Sequence, residues 1–179
     1  MEPAREPDAG GHVGHGCRAG GFRGAALARR RRAGTPIFLV MPSFLTRRVS
    51  FAAAHRYRIA EWSDERNAAV FGACARPNFH GHSYVCDVTV TGAIDPVTGF
   101  IVDLGVLDEV LQREVRARFD HANINLDVPE FGDGGLMPTG EELARFICQN
   151  VQHALGELTR VTRVAVSEDA TLTAVYEPD

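Results

Sequence analysis

HGHSYVCDVTVTG, residues 80–92, alternates β-branched and aromatic side chains with other residues over most of its length. This alternation predicts a β-strand with one buried face. Residues two apart on a strand point to the same face, and their Cα atoms lie about 6.6 Å apart. The two histidines that open the stretch, His80 and His82, are therefore expected side by side, at a spacing that lets two imidazoles share one Zn²⁺.

A third histidine comes from the preceding strand candidate. Arg48–Tyr57 also alternates, and His55 belongs to its apolar face. Three neutral histidines with an open fourth position are typical of catalytic rather than structural zinc. Cys86 has the same parity as His82 but lies about 13 Å further along the strand, too far to be a fourth ligand. Hydrogen-bonded strand histidines without a metal are the alternative interpretation.

The remaining segments predict two helices and two more strands. Apolar residues recur at helical spacing in two runs, Leu107, Val110, Leu111, Val115 and Phe119 and then Leu143, Phe146, Ile147, Val151, Ala154, Leu155 and Leu158. Pro138 and Thr139, with Glu142 three residues after Thr139, predict a capping-box start for the second helix. Thr162–Glu168 and Thr171–Tyr176 predict a closing strand pair. The order ββααββ indicates an α+β domain, an antiparallel sheet with two helices on one face.

Composition limits the class of protein. A chain of 179 residues with 45% hydrophobic and 23% charged residues can bury a sizeable core, which excludes a fibrous or fully disordered chain. No run of about 18 apolar residues occurs, so we expect no membrane span. The four cysteines show no tight pairing pattern, which predicts free thiols in a reducing, cytoplasmic compartment. Since a four-stranded sheet has two unpaired edges, we also expect a homo-oligomer.

Residues 1–45 are rich in Gly, Ala and Arg and predict a disordered N-terminal extension, with the folded domain over residues 46–179. The run Arg29–Arg32 permits a nucleic-acid contact or the start of a signal peptide, but a solvated charge run is the preferred interpretation. The acidic balance of the folded part also argues against nucleic-acid binding as a function. His12, His15 and Cys17 have the side chains of metal ligands, although their Gly-rich context favours an incidental origin.

Three polar residues outside the histidine cluster are candidates for catalysis. Cys74 lies six residues before His80 in a loop that also holds Arg76. A dication bound by the histidines and the charge of Arg76 would together lower the pKa of the thiol and suit a base or nucleophile, whereas an inert half-buried thiol is the alternative. Asp120 and His121 directly follow the first helix. They form a proton relay if the acid orients the imidazole, or His121 simply complements the helix dipole.

Two glutamates are candidates for binding. Glu168 ends the otherwise apolar face of the Thr162–Glu168 strand. A carboxylate there is costly unless it binds paired donors, such as those of a guanidine-like heterocycle. Alternatively it lies past the strand end, in a turn with Asp169. Glu141 stands near the start of the second helix, where the helix dipole alone would explain it.

These motifs, in this order, resemble the family of 6-pyruvoyl-tetrahydropterin and 6-carboxytetrahydropterin synthases over roughly residues 47–179. The matching segments are FAAAHR (51–56), NAAVFG (67–72), CARPNFHGHSY (74–84), DPVTGFIVDL (95–104), LDVPEF (126–131), PTGE (138–141) and VAVSE (164–168). One departure is Phe79, where the family commonly has glycine. The bulkier side chain is expected to narrow the pocket beside the metal.

The resemblance implies a role for each candidate residue. The zinc ligands would be His55, His80 and His82, and the catalytic residues would be Cys74, Asp120 and His121. Glu168 would anchor a pterin ring, which Thr139 and Glu141 would also contact. The implied architecture is the tunnelling fold, in which ββααββ subunits join edge to edge into a barrel. The family commonly forms hexamers of two stacked trimers, with the sites at subunit interfaces.

The implied substrate is 7,8-dihydroneopterin triphosphate, and two products are open. Five residues separate Cys74 from His80, as in the pyruvoyl enzymes and many bacterial homologues. All 19 basic residues are Arg, which suggests a GC-rich bacterial gene, and bacteria usually use this fold in queuosine-type deazapurine synthesis. We therefore expect a zinc-dependent 6-carboxytetrahydropterin synthase, with 6-pyruvoyl-tetrahydropterin synthase as the alternative. A non-catalytic zinc-binding oligomer is the alternative of another class, although it would have no need of Cys74.

Overall fold

The structure is a computed structural model that describes residues 42–157 and 159–179. The expectations for the N-terminal extension before residue 42, including the Arg29–Arg32 run and the metal candidates His12, His15 and Cys17, lie outside the described residues. So does Leu158, which the helical pattern had included. Within the described part, no helix is long and apolar enough to cross a membrane.

A five-stranded sheet forms the centre of the fold, with the order β3-β1-β2-β4-β5. Its strands are β1 (Phe44–His55), β2 (His80–Thr91), β3 (Ala122–Asn123), β4 (Arg160–Ser167) and β5 (Thr173–Tyr176). The pairs β1–β2, β2–β4 and β4–β5 are antiparallel, as predicted. The two-residue β3 pairs parallel with β1 at residues 53 and 54 and was not predicted. β1 also begins four residues earlier and ends two residues earlier than the sequence indicated.

In the part of the chain that the structure describes, five α-helices accompany the sheet: α1 (Asp64–Phe71), α2 (Leu104–Leu111), α3 (Ala117–Phe119), α4 (Ile124–Asp127) and α5 (Gly140–Leu155). The first predicted helix is the run from α2 to α3, joined by a π-helical turn over Gln112–Arg116. The second is α5, which the Thr139 side chain caps by accepting a hydrogen bond from the Glu142 N–H. The Glu142 carboxylate accepts from Arg145 instead of returning to Thr139, so only half of the predicted capping box forms.

The core lies between one face of the sheet and the helices α2, α3 and α5. On β2, Tyr84, Cys86, Val88 and Val90 are fully buried, and their neighbours are only partly so. Because side chains alternate across a strand, His80 and His82 continue this same buried face to the strand's first residue. The histidines therefore lie where the apolar core ends.

The α1 helix was not predicted, and a buried asparagine fixes it to the loop before it. Asn67 is 2% exposed, and its amide donates to the carbonyls of Ile59, Trp62 and Ser63. Its side-chain oxygen accepts from the Ile59 N–H at 2.8 Å. This bonding closes the loop that leads from β1 towards Cys74.

Replacing Asn67 with alanine is expected to lower the free energy of unfolding by about 2–3 kcal/mol, because several partly buried hydrogen bonds to the backbone are lost together. Urea unfolding measures the change. Asn150→Ala, which removes a single bond to the Phe146 carbonyl, is the matched control with an expected cost of about 1 kcal/mol. Equal losses in the two variants would contradict the anchoring role of Asn67.

Candidate active site

The three predicted zinc ligands come together at one end of the β1–β2 pair. His55 is the direct register partner of His80, and His82 faces Ala53. The Nε2 atoms of His55 and His80 lie 3.1 Å apart, and one ligand atom from each of the three rings lies within 4.8 Å of the others. The expectation that strand parity and pairing would cluster these histidines is confirmed.

The protonation of the histidines suits a divalent metal. The Nδ1–H of His55 donates to the Pro138 carbonyl at 2.8 Å, which leaves the Nε2 lone pair of His55 directed at the cluster. Burial lowers the pKa of His55 to about 4 and also lowers the pKa of His80, so both rings are neutral at pH 7. His80 Nδ1 and His82 Nε2 are buried and have no hydrogen-bond partner in the described part of the chain. Three clustered imidazoles, two of them with an unsatisfied ring nitrogen, fit a zinc site.

Glu168 lies beside this cluster. It follows the last residue of β4, as the turn interpretation had it, but it is nevertheless only 8% exposed. Its Oε2 is 3.9 Å from His82 Nε2, and its Oε1 accepts a hydrogen bond from the Tyr57 hydroxyl at 3.3 Å. Burial raises the pKa of Glu168. A carboxylate with so few partners is a candidate acceptor for a ligand's N–H groups.

The start of α5 adjoins the same carboxylate. A Cβ atom placed on Gly140, between Thr139 and Glu141, would lie 3.8 Å from Glu168 Oε1. Glu141 is exposed, and its charge contributes to the raised pKa of Glu168. The structure thus brings the segment with Thr139 and Glu141 to Glu168.

Cys74 lies on the same side, in a 3₁₀ turn over Gly72–Ala75. Its carbonyl accepts from the Tyr57 N–H at 2.8 Å, and its side chain is partly buried. Burial and the nearby charge of Glu168 raise the pKa of the thiol. Arg76 alone does not lower this pKa as expected, because desolvation and a carboxylate both favour the neutral thiol.

Asp120 and His121 occupy a different place. Asp120 ends α3 and accepts hydrogen bonds from the Ala52 N–H at 2.9 Å and from Arg116 Nε at 3.3 Å. The Ala52 bond is the main cause of the lowered pKa of Asp120. His121 has a left-handed backbone with φ of 60°, and its N–H donates to the Ala52 carbonyl at 2.6 Å.

The His121 side chain is 85% exposed, with Nε2 4.0 Å from Asp120 Oδ1. It lines an open depression of about 410 Å³ together with Ala52, Ala53, Ala54, Gly81, His82, Ser83 and Ala122. Four of these residues, Ala52, Ala54, Gly81 and Ser83, alternate with the histidine positions and face the other side of the sheet. Within one chain, therefore, the structure does not bring His121 to Cys74.

Sequence reasoning missed three contacts of the site. Tyr57 shares the strand parity of His55, and Tyr84, whose hydroxyl is 3.2 Å from His55 Nδ1, shares that of His82. Parity was thus an available signal for both tyrosines. No sequence pattern indicated the Pro138 carbonyl, because only the fold of the chain brings this backbone acceptor close to His55.

Phe79 has a positive φ of 57°, a conformation that favours glycine. Its ring lies under the Arg56 guanidinium at 5.5 Å and borders a cavity of about 680 Å³ that also reaches Pro138. The backbone strain explains why glycine would be the ordinary residue at this position.

Comparison with known proteins gives a consistent result. A family model described as 6-pyruvoyl tetrahydropterin synthase matches residues 44–179. The 6-pyruvoyl tetrahydrobiopterin synthase of Homo sapiens is 41% identical over 111 residues, which cover 62% of this chain and 75% of that protein. The 6-carboxy-5,6,7,8-tetrahydropterin synthase of Bacillus subtilis is 36% identical over 112 residues, which cover 60% and 72%.

Among solved structures, the 6-pyruvoyl tetrahydropterin synthase of Caenorhabditis elegans superposes with a TM-score of 0.72 and 28% sequence identity. The match covers 78% of this chain and 97% of that one. The expected fold class is thereby confirmed. With the family model spanning nearly all described residues, the chain belongs to the 6-pyruvoyl tetrahydropterin synthase family.

Proposed function

We propose that this chain is a zinc-dependent pterin synthase that acts on 7,8-dihydroneopterin triphosphate. The observation that carries the proposal is the pairing of two features at one end of the sheet. Three histidines cluster there, and two of them, His80 and His82, have a buried ring nitrogen with no hydrogen-bond partner in the described residues. The buried Glu168 carboxylate lies 3.9 Å from His82 Nε2. A metal site beside an acceptor for N–H groups suits a substrate that joins a pterin ring to a hydroxylated side chain.

Each residue has a defined task in this proposal. The zinc ligands are His55, His80 and His82. When bound, zinc supplies a Lewis acid that lowers the pKa of the substrate's side-chain hydroxyls. Glu168 accepts the N–H groups of the pterin ring, and the segment with Thr139 and Glu141 borders the ring.

Proton transfer is assigned to Cys74 and to the pair of Asp120 and His121. Cys74 takes a proton from a carbon of the substrate's side chain, and His121, oriented by Asp120, supplies or accepts another.

Because His121 lies on the outer face of the sheet in its own chain, we propose that a second copy of the chain supplies His121 to the Cys74 side. The working enzyme is then a homo-oligomer, and a hexamer would match the assembly implied by the family. The cytoplasmic location stays a prediction.

The proposed product is a 6-pyruvoyl pterin, formed as triphosphate leaves. The pyruvoyl relative of Homo sapiens, at 41% identity, supports this choice over the carboxy product favoured on sequence alone. Cleavage of the side chain to a carboxylate, with loss of acetaldehyde, is the second candidate, supported by the 36% identity to the Bacillus subtilis enzyme.

Incubation of the zinc-loaded protein with 7,8-dihydroneopterin triphosphate tests the proposal, with mass spectrometry of the products. We expect triphosphate and a pyruvoyl pterin, and no reaction with 7,8-dihydroneopterin, which lacks the leaving group. Acetaldehyde and a carboxypterin would establish the second candidate instead. No turnover by the zinc-loaded wild type would overturn the catalytic assignment and favour a non-catalytic zinc-binding oligomer.

A further inference from the structure

We infer that Tyr57 is a positioning residue that fixes the orientation of the Glu168 carboxylate and thereby sets the affinity for the heterocyclic part of the substrate. This inference rests on the proposed function, in which Glu168 accepts the N–H groups of the ring. Tyr57 is two residues past the metal ligand His55 and is only partly buried. Its hydroxyl lies 3.3 Å from Glu168 Oε1.

The ring of Tyr57 is held from several directions. It packs edge-on against His55 with ring centroids 5.0 Å apart, and against Phe71 of α1 at 5.9 Å. Its backbone N–H donates to the Cys74 carbonyl. A ring restrained on two sides and at its backbone places its hydroxyl at a defined point, so the bond to Glu168 forms at little further cost in side-chain entropy.

Glu168 has no other side-chain restraint of this kind in the described residues. A carboxylate offers about four lone-pair positions, and the Tyr57 hydroxyl is the one described donor within hydrogen-bond distance of them. The distance of 3.9 Å from His82 Nε2 exceeds that of a hydrogen bond. A His82 nitrogen that binds zinc has no proton to donate in any case.

Orientation matters because the terminal torsion of a glutamate is broad and only weakly two-fold. Two neighbouring N–H donors on a heterocycle bind a carboxylate best when both oxygens lie in the plane of the donors. The Tyr57 hydroxyl occupies one lone pair of Oε1, which leaves Oε2 and the second lone pair of Oε1 for the ligand. The carboxylate is then fixed before the ring arrives, and the ligand does not have to order it.

A purely structural role for Tyr57 would require only its ring. Tyr57→Phe keeps the ring and removes the hydroxyl, so it separates packing from positioning. We expect KM for 7,8-dihydroneopterin triphosphate to rise roughly tenfold, as for one lost hydrogen bond to a charged group, with kcat within about twofold. Zinc content and thermal midpoint should match those of the wild type. Tyr176→Phe, the same change in β5, is the matched control, with KM expected to stay within about twofold.

Equilibrium binding supplies a readout that packing would not change. The probes are 7,8-dihydropterin and 7,8-dihydrolumazine, in which an oxygen acceptor replaces the 2-amino donor. Wild type should prefer the pterin, Tyr57→Phe should lose most of that preference, and Glu168→Gln should lose it entirely. Isothermal titration calorimetry of the zinc-loaded proteins measures the affinities.

The outcomes separate this inference from the proposed function. If wild type binds the pterin, Glu168→Gln does not and Tyr57→Phe binds as well as wild type, the inference is overturned while the proposed function stands. If Tyr57→Phe lowers kcat at unchanged KM, or loses zinc, the positioning role is likewise overturned. If wild type neither binds nor converts the pterin, the proposed function itself fails.

Discussion

Cys74→Ala is expected to lower kcat by roughly 10²- to 10⁴-fold, the contribution of a positioned acid or base, while zinc binding and assembly persist. The thiol lies in the turn that follows α1, where it is partly buried and affected by the charge of Glu168. Neither an alanine methyl group nor a nearby water in its place can take the side-chain proton with the same geometry. Steady-state turnover at saturating substrate measures the loss, and elemental analysis measures the zinc content.

A second thiol in the chain provides the matched control for Cys74→Ala. Cys148 is buried in α5 and borders a cavity that is lined by the last residue of β2 and the C-terminal half of α5. This cavity lies at the ends of β2 and α5 that are remote from the histidine cluster. Cys148→Ala removes the same atom from the core, so the thermal midpoint should fall while kcat stays within about twofold. A Cys74→Ala enzyme that keeps full turnover would exclude the thiol from the chemistry. A protein with zinc and assembly but no turnover even as wild type would instead be the structural oligomer.

The clustering of the three histidines could be predicted because each step depends on local rules. Strand parity puts His80 and His82 on one face, and the alternation of the preceding strand does the same for His55. The antiparallel register then sets His55 opposite His80. The expectation that Glu168 belongs to the buried face also followed from parity, and the side chain is buried there although the residue lies one position past the end of β4.

The contacts that the sequence did not indicate join residues that are far apart in the chain. The Pro138 carbonyl comes close to His55 across 83 positions of the chain. The Tyr57 hydroxyl contacts Glu168 across 111 positions. The Pro138 contact has no periodic pattern, because it is fixed by how α5 packs on the sheet. Parity indicates the strand face of Tyr57 but not its contact with Glu168, which depends on the position of β4 in the sheet. The short β3 was missed for a similar reason, since its two residues pair with β1 only after α3 ends beside that strand.

The separation of His121 from Cys74 shows what sequence adjacency can and cannot predict. Asp120 was expected to orient the His121 imidazole, and the structure places the two side chains 4.0 Å apart at the end of α3, beyond hydrogen-bond distance. Their position relative to the sheet is set by the Ala52 backbone, which bonds to both residues. A pair fixed to the outer face of β1 in its own chain is available to another copy, which makes assembly a requirement for the proposed proton transfer.

His82→Ala is expected to reduce zinc from one equivalent per chain to below about 0.1, because two imidazoles alone make a weak site. We choose His82 because His55 is fully buried, so its removal would also leave a cavity. His153→Ala, which removes an exposed histidine from the last turn of α5, is the control and should keep its zinc. Elemental analysis after dialysis gives the stoichiometry.

Zinc should also stabilise the folded chain, which provides a readout independent of turnover. Free zinc at a thousandfold excess over Kd adds about 4.1 kcal/mol to the free energy of unfolding when only the folded state binds it. Chelator-treated wild type and His153→Ala should therefore gain thermal stability when zinc is restored, and His82→Ala should not. The thermal midpoint with and without zinc measures this. A His82→Ala protein that gains as much stability as wild type would show that zinc binds elsewhere, because removing one of three ligands cannot leave the affinity of this site unchanged.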